Sequence, residues 1–229
     1  MSYKWIVLII VALASFIETM DMSIVNLSFP RLVDVFDTSL SVVVWINIIF
    51  LLVSTSLLFF VGRVGDMFGR KKVYLIGFAF FIAGLTICSL SPNIFILILG
   101  RGVQAIGGAV IMALGMAIVT ATFPDEERGK AVGLVGTMLS AGILAGPVLG
   151  GILLDTLDWR SVFYVRIPIA AAGLIMSWLL LKESKASDVG TKLDLPGAAL
   201  IFASLSCILL FFNLGEEWGF SSVPSLILI

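Results

Sequence analysis

Glu18, Asp21 and Arg101 are charged side chains that each lie inside a long apolar run. Charge in such a position is costly, so it faces an interior, a cavity or a partner. Glu18 and Asp21 are three residues apart, a spacing that shares one face of a helix. Two carboxyls and a guanidinium suit one kind of chemistry: reversible binding of a proton or a cation. Burial and a neighbouring arginine act in opposite senses on a carboxyl, so the balance can change between conformations. The alternative is a structural ion pair that fixes helix register. Asn26, Asn47 and Gln104 are further polar residues inside apolar runs, with Gln104 one helical turn from Arg101. They read as hydrogen bonds between helices rather than as ligand contacts.

The runs that hold these residues set the fold class. Of 229 residues, 60% are hydrophobic and 13% are charged, where a soluble domain carries about a quarter charged residues. Mean hydropathy is +1.16. A water-soluble globule of this size cannot hide that much apolar surface, which leaves an all-α integral membrane protein. A bilayer core of about 30 Å takes roughly 20 apolar residues per helix. Runs of that kind cover about 5–30, 41–61, 73–91, 93–123, 132–154, 162–181 and 195–214, and a shorter piece covers 223–229. They predict seven spans and the start of an eighth. The first run is too long for a signal peptide and carries Glu18 and Asp21, so it is read as a retained span.

Basic residues in the short loops orient the spans. Lys4, Arg63, Arg70, Lys71, Lys72, Arg128, Lys130, Lys182, Lys185 and Lys192 fall on one side, and Arg31 and Arg160 on the other. This predicts a cytoplasmic N-terminus in a cell (plasma) membrane protein. Asp21 then lies roughly 24 Å above Trp5 and Arg101 roughly 10 Å below Ile94, both in the outer half. The polar stretch 182–197 reads as a cytoplasmic linker ended by Pro196-Gly197. The expected units are a bundle over 1–181, that linker, and 198–229 with the seventh span and part of an eighth.

Several function classes drop out. The chain has no His, which removes a Ser–His pair for intramembrane proteolysis and any His metal site. Asp21 is the only Asp clearly within a span, so facing aspartates and aspartate clusters are also missing. No enzyme, metal site or cofactor is expected. No ring of repeated filter residues suggests a channel. Net charge is −1 and no basic stripe exists, which argues against a nucleic-acid partner. Cys88 and Cys207 sit in apolar runs and read as small core hydrophobes, with one disulfide between them as the alternative.

Glycine patterns add two candidate sites. Gly142, Gly146 and Gly150 recur every four residues, a smooth ridge that admits a second helix backbone, with Pro147 and Gly151 beside it. The stretch GRVGDMFGRKK, 62–72, reads as a loop in which Gly62, Gly65 and Gly69 allow a tight turn around Asp66, Arg70 and Lys71.

These segments resemble those of a known family. GRVGDMFGRKK resembles the loop G-x-x-x-D-[RK]-x-G-[RK]-[RK] between spans two and three of the major facilitator superfamily, with Met67 replacing a basic residue. RGVQAIGGA, 101–109, is similar to its fourth-span motif R-x-x-Q-G-x-G-x-A, with Ala105 for the first Gly. AGPVLGG, 145–151, is similar to the antiporter motif G-P-x-x-G-G. MDMSIVNLSFP, 20–30, and WRSVFYVRIP, 159–168, resemble L-D-x-T-I-V-N-V-A-L-P and W-R-W-x-F-x-x-N-x-P of its fourteen-span drug:proton antiporters. In the last motif Ser161 and Arg166 depart, and Arg166 for Asn puts a charge near the outer face.

The resemblance implies the N-terminal half of such a transporter: six spans in two inverted three-span repeats. It implies proton-coupled export of hydrophobic or cationic small molecules. Asp66 with Gly62, Gly69, Arg70 and Lys71 would form a cytoplasmic gating loop. Arg101 would couple to protons, Asp21 would line the cavity beside Gln104, and Gly142, Gly146, Pro147, Gly150 and Gly151 would form the antiporter hinge. Glu18 lies outside the motif and is proposed from its position. The partners implied are a small-molecule substrate, protons, the lipid bilayer, and a second half-transporter chain or a homodimer. The expected alternative is a truncated fragment, or an assembly or regulatory subunit, that does not transport.

Overall fold

A computed structural model describes residues 2–183 and 195–218, and every regular element among them is helical. In chain order these are α1 (Tyr3–Leu27), α2 (Phe29–Phe36), α3 (Leu40–Phe68), α4 (Arg70–Leu90), α5 (Ile94–Thr122), α6 (Asp125–Thr156), α7 (Ser161–Tyr164), α8 (Arg166–Leu180) and α9 (Leu195–Trp218). Six helical stretches among the described residues are long and apolar enough to cross a membrane: α1, residues 40–58 of α3, α4, α5, α6, and the α7–α8 pair. The chain is therefore a multi-pass membrane protein. Backbone groups have no water to bond in a bilayer core, and helices satisfy them internally. α9 adds a further apolar helix of 24 residues with Pro196 in its first turn. Positions 184–194 of the expected linker and the run 223–229 lie outside the described residues.

Three boundaries differ from the sequence reading. The first run breaks at Ser28, and the chain turns into the short helix α2. Asp37, at φ 46°, ends α2 in the left-handed region. Leu32 is buried and the Phe36 ring meets Trp159 edge-on at 5.3 Å, which holds α2 against the start of the sixth span. Secondly, residues 62–68 belong to α3 and are not loop. The turn is confined to Gly69, whose φ of +96° an L side chain rarely adopts. Gly62 lies in open helix, and Gly65 serves helix packing, since a side chain there would run into Leu114 of α5. Thirdly, α6 starts at Asp125 behind Pro124, with Asp125, Glu126 and Glu127 at its positive dipole end.

Short connections make successive spans antiparallel and give the bundle two ends. One end carries Lys4, Arg70, Lys71, Arg128 and Lys182 and is called the basic end below. There Lys4 pairs with Glu127 at 2.5 Å, and the Lys182 N–H donates to the Tyr3 hydroxyl at 2.9 Å. At the opposite end the Arg160 guanidinium donates to the Ser91 carbonyl at 3.2 Å.

Inside, α1 packs most closely on α6 and α4 on α5, while α3 lies on α5 and α8 on α4 and α1. Both close contacts use glycine. On α6, a side chain at Gly142 would meet Thr19 and the Phe16 carbonyl, one at Gly146 would meet Ser23, and one at Gly150 would meet Ile24 and Leu27 at 2.9 Å. Thr19 also donates to the Leu139 carbonyl of α6 at 3.0 Å. On α4 and α5, Gly84 lies against the Gln104 backbone and Gly107 against Gly77 and Phe81. Pro147 sits within an unbroken α6. Gly151 has nothing within 4 Å and does not join the ridge. The outward face of α6 presents Leu144, Val148 and Ile152.

Candidate functional site

Asp21 lies where α1, α5 and α8 converge, and it is fully buried. Both of its oxygens are taken. Oδ2 accepts from Arg101 Nη1 at 2.5 Å. Oδ1 accepts from Gln104 Nε2 at 2.9 Å and also from Arg166 Nη1. Arg101 Nη1 donates in addition to Gln104 Oε1 at 2.7 Å. One carboxylate therefore ties three helices together through charge-assisted hydrogen bonds.

Each arginine is fixed by further contacts. Arg101 Nε donates to the Ile46 carbonyl of α3 at 3.4 Å, and its guanidinium lies 4.2 Å from the centre of the Phe50 ring. Arg166 Nε donates to the Val162 carbonyl at 2.7 Å, and its guanidinium is 5.5 Å from the Phe163 ring. Arg101 and Arg166 are 0% and 1% exposed. The Nη2 groups of both are buried with no hydrogen-bond partner among the described residues. Gly84 sets the rotation of α5 at this level, because α4 reaches the Gln104 backbone only where α4 has no side chain.

Two guanidiniums thus share one carboxylate. Glu18, one turn below Asp21 on α1, is 5% exposed and forms no ion pair among the described residues. Its carboxyl faces Gly108 of α5, where an added Cβ would stand 3.7 Å from Oε1 and 3.2 Å from the Phe50 ring.

The structure thus brings Asp21, Arg101 and Gln104 into one hydrogen-bonded group, with Glu18 beside it. Arg166 is the departure from the sequence reading. It turns into the protein interior and is the second cation on Asp21. Depth arithmetic contains this signal: Arg166 lies about 8 Å below Ser161 and Asp21 about 9 Å from Leu27, at 1.5 Å per residue. Asn26 and Asn47 bond each other, Asn47 Nδ2 donating to Asn26 Oδ1 at 2.5 Å, and so join α1 to α3.

At the basic end Asp66 accepts from Arg70 Nε at 2.8 Å, and Arg70 Nη1 donates to the Ala117 carbonyl of α5 at 3.0 Å. Sequence reading missed the part played by the segment after α8. Glu183 accepts from the Lys71 N–H at 3.1 Å, in the first turn of α4, and Lys71 Nζ donates to the Leu181 carbonyl at 2.6 Å. A cleft of about 200 Å³ opens here, lined by Tyr3, Arg70, Lys71, Thr122, Lys182 and Glu183 among others. Cys88 is buried and Cys207 half-buried, and both are free thiols.

The chain is 36% identical over 213 residues to the riboflavin transporter RibZ of Clostridioides difficile (strain 630), a match covering 93% of this chain and 47% of RibZ. It is 30% identical over 223 residues to the multidrug resistance protein Stp of Mycobacterium tuberculosis (strain CDC 1551 / Oshkosh), covering 97% of this chain and 41% of Stp. The chain thus spans just under half the length of these relatives. Among solved structures, the human organic anion transporter MFSD10 (TETRAN) superposes with a TM-score of 0.74 at 16% identity, over 94% of this chain and 57% of that one. At that identity the match speaks for the fold. The Major Facilitator Superfamily model matches residues 11–227, and with a six-span helical bundle to go with it, the chain belongs to the Major Facilitator Superfamily.

Proposed function

We propose that this chain is the N-terminal half of a proton-coupled exporter of hydrophobic or cationic small molecules, set in the plasma membrane with its basic end in the cytoplasm. The observation that carries this reading is the buried acid–arginine group joining α1, α5 and α8, in a chain similar to a multidrug resistance protein. Transporters of this kind rock two six-span halves about a midplane site, and α1 and α5 open the two three-span repeats of one half. A second half is needed to close the cavity, supplied by further chain or by a second copy. Ionised carboxyls near the cavity attract a cationic substrate from the cytoplasm, and protonation from outside releases it. The glycine contact of α6 with α1 lets the two helices move as one body, and the Asp66–Arg70–Lys71 corner holds the cytoplasmic closure.

The test is efflux of a lipophilic cationic dye from cells expressing the 229-residue chain, with membrane insertion confirmed first. Efflux that collapses with an uncoupler and with Arg101→Ala is the expected result for a self-pairing half. An inserted chain that exports nothing alone, but does so when a matching C-terminal half is co-expressed, supports a divided cavity. Export that ignores both uncoupler and Arg101→Ala removes the proton-coupled reading. Similarity to RibZ favours a second reading, in which the cargo is a planar heteroaromatic of the riboflavin type. Competition of riboflavin with the dye separates the two.

A further inference from the structure

We infer that the two membrane-embedded acids of α1 have divided roles: Asp21 is a fixed counter-ion held by Arg101 and Arg166, and Glu18 is the group that takes up and releases the proton. The assignment rests on the proton-coupled reading above and goes beyond it, because that reading leaves the two acids equivalent.

The geometry separates them. Asp21 accepts three hydrogen bonds, two from guanidiniums and one from Gln104, and both oxygens are used. A proton added to either oxygen would meet an N–H already aimed at it and would leave two buried guanidiniums without a counter-charge. Asp21 is also sealed, at 0% exposure, among α1, α5 and α8. Glu18 is at the other limit. It accepts no hydrogen bond and forms no ion pair among the described residues, and it retains a residual 5% exposure. The space before its carboxyl exists because position 108 is glycine.

The charges facing Glu18 can be counted element by element. Arg101 comes from α5 and Arg166, through Asp21, from α8. The stretch of α6 between Lys130 and Asp155 has no ionisable side chain, and α3 has none between Leu40 and Gly62. From α4 the Cys88 thiol lies against Gly100 of α5, beside Arg101. Ionised Glu18 therefore brings the group of two arginines and two acids to zero net charge, and protonated Glu18 leaves it at plus one. A proton bound at Glu18 changes the charge of the whole group, while Asp21 keeps its helices joined in both states.

Arg166 makes the division. With Asn in its place, Asp21 would keep one guanidinium and Gln104, and Oδ1 would lose a charged donor.

Infrared difference spectroscopy of the 229-residue chain in lipid nanodiscs reads this directly, through the carbonyl stretch of protonated carboxyls as the pH is stepped from alkaline to acid. A titrating band that disappears in Glu18→Gln is expected, with none assignable to Asp21. Arg166→Asn is expected to add a second titrating band, which vanishes when Asp21→Asn is introduced into that background. Identical carboxyl titrations in the wild type and in Glu18→Gln, with no band lost from the difference between them, overturn the assignment to Glu18. No second band in Arg166→Asn overturns the part given to Arg166. The readout needs no transport. A Glu18 band in a chain that moves no substrate even with a matching C-terminal half co-expressed keeps the inference and removes the export reading, and coupled export with the band intact in Glu18→Gln does the reverse.

Discussion

At the residue scale, Asp21 is the most consequential side chain in the bundle. Among the described residues it is the one counter-charge in direct contact with two buried guanidiniums. Removing one partner of a buried ionic group costs about 3–5 kcal/mol, because the remaining charge is stranded. Asp21→Asn should therefore lower the thermal unfolding midpoint of the purified chain sharply, while Glu18→Gln, which breaks no ion pair, should leave it nearly unchanged. Equal midpoints for the two variants would contradict the described cluster. The pairing of Asp21 with Arg101 was legible from sequence, because two charges at one depth in opposed spans must compensate each other. Arg166 was within reach of the same arithmetic. It was read instead as a motif departure near the outer face, with pairing to an acid and contact with headgroups both left open. Glu183 was not legible: nothing in the stretch from Lys182 onward shows that its first acid returns to the start of α4.

At the scale of elements, the apolar runs gave the spans almost directly, since lipid leaves few alternatives to a helix of about 20 residues. Their ends were less legible. A Gly-rich basic segment reads as loop, yet Gly62 and Gly65 are helical and only Gly69 turns. The distinction lies in tertiary contact, because Gly65 makes room for Leu114 and the sequence shows only a missing side chain. The α6 ridge was legible from its four-residue period, but the helix that it faces was not. Gly142, Gly146 and Gly150 face α1, and Gly151 faces away. Gly146→Leu should separate α1 from α6 at an overpacking cost of about 1–3 kcal/mol, whereas Gly151→Leu should be close to neutral. Cysteine cross-linking between α1 and α6 in the two backgrounds checks this. Retained cross-linking in Gly146→Leu would show that the ridge does not set the separation.

At the scale of the whole molecule, the excess of Lys and Arg at one end sets the expected orientation. Cysteines introduced at Ser2 and Leu157, in a background with Cys88 and Cys207 replaced by Ala, should label asymmetrically in intact cells. A membrane-impermeant maleimide should reach position 157 and not position 2. Labelling at position 2 alone would invert the topology and with it the direction of the proton in the proposed cycle. The basic end is also closed upon itself: Tyr3, Glu127, Lys71 and Glu183 connect the starts and ends of four spans through Lys4, Lys182 and the α3–α4 turn. Glu183 is thus an anchored point at the end of the sixth span.

The shared carboxylate also has an evolutionary consequence. Arg166 can be exchanged for Asn while the Asp21–Arg101 pair stays whole, so that exchange strands no charge. Asp21 cannot be exchanged first, because both guanidiniums would then be buried uncompensated. The second arginine can therefore come or go without stranding a charge only while the aspartate persists, and the order of substitutions at these two positions is set by the geometry of one side chain.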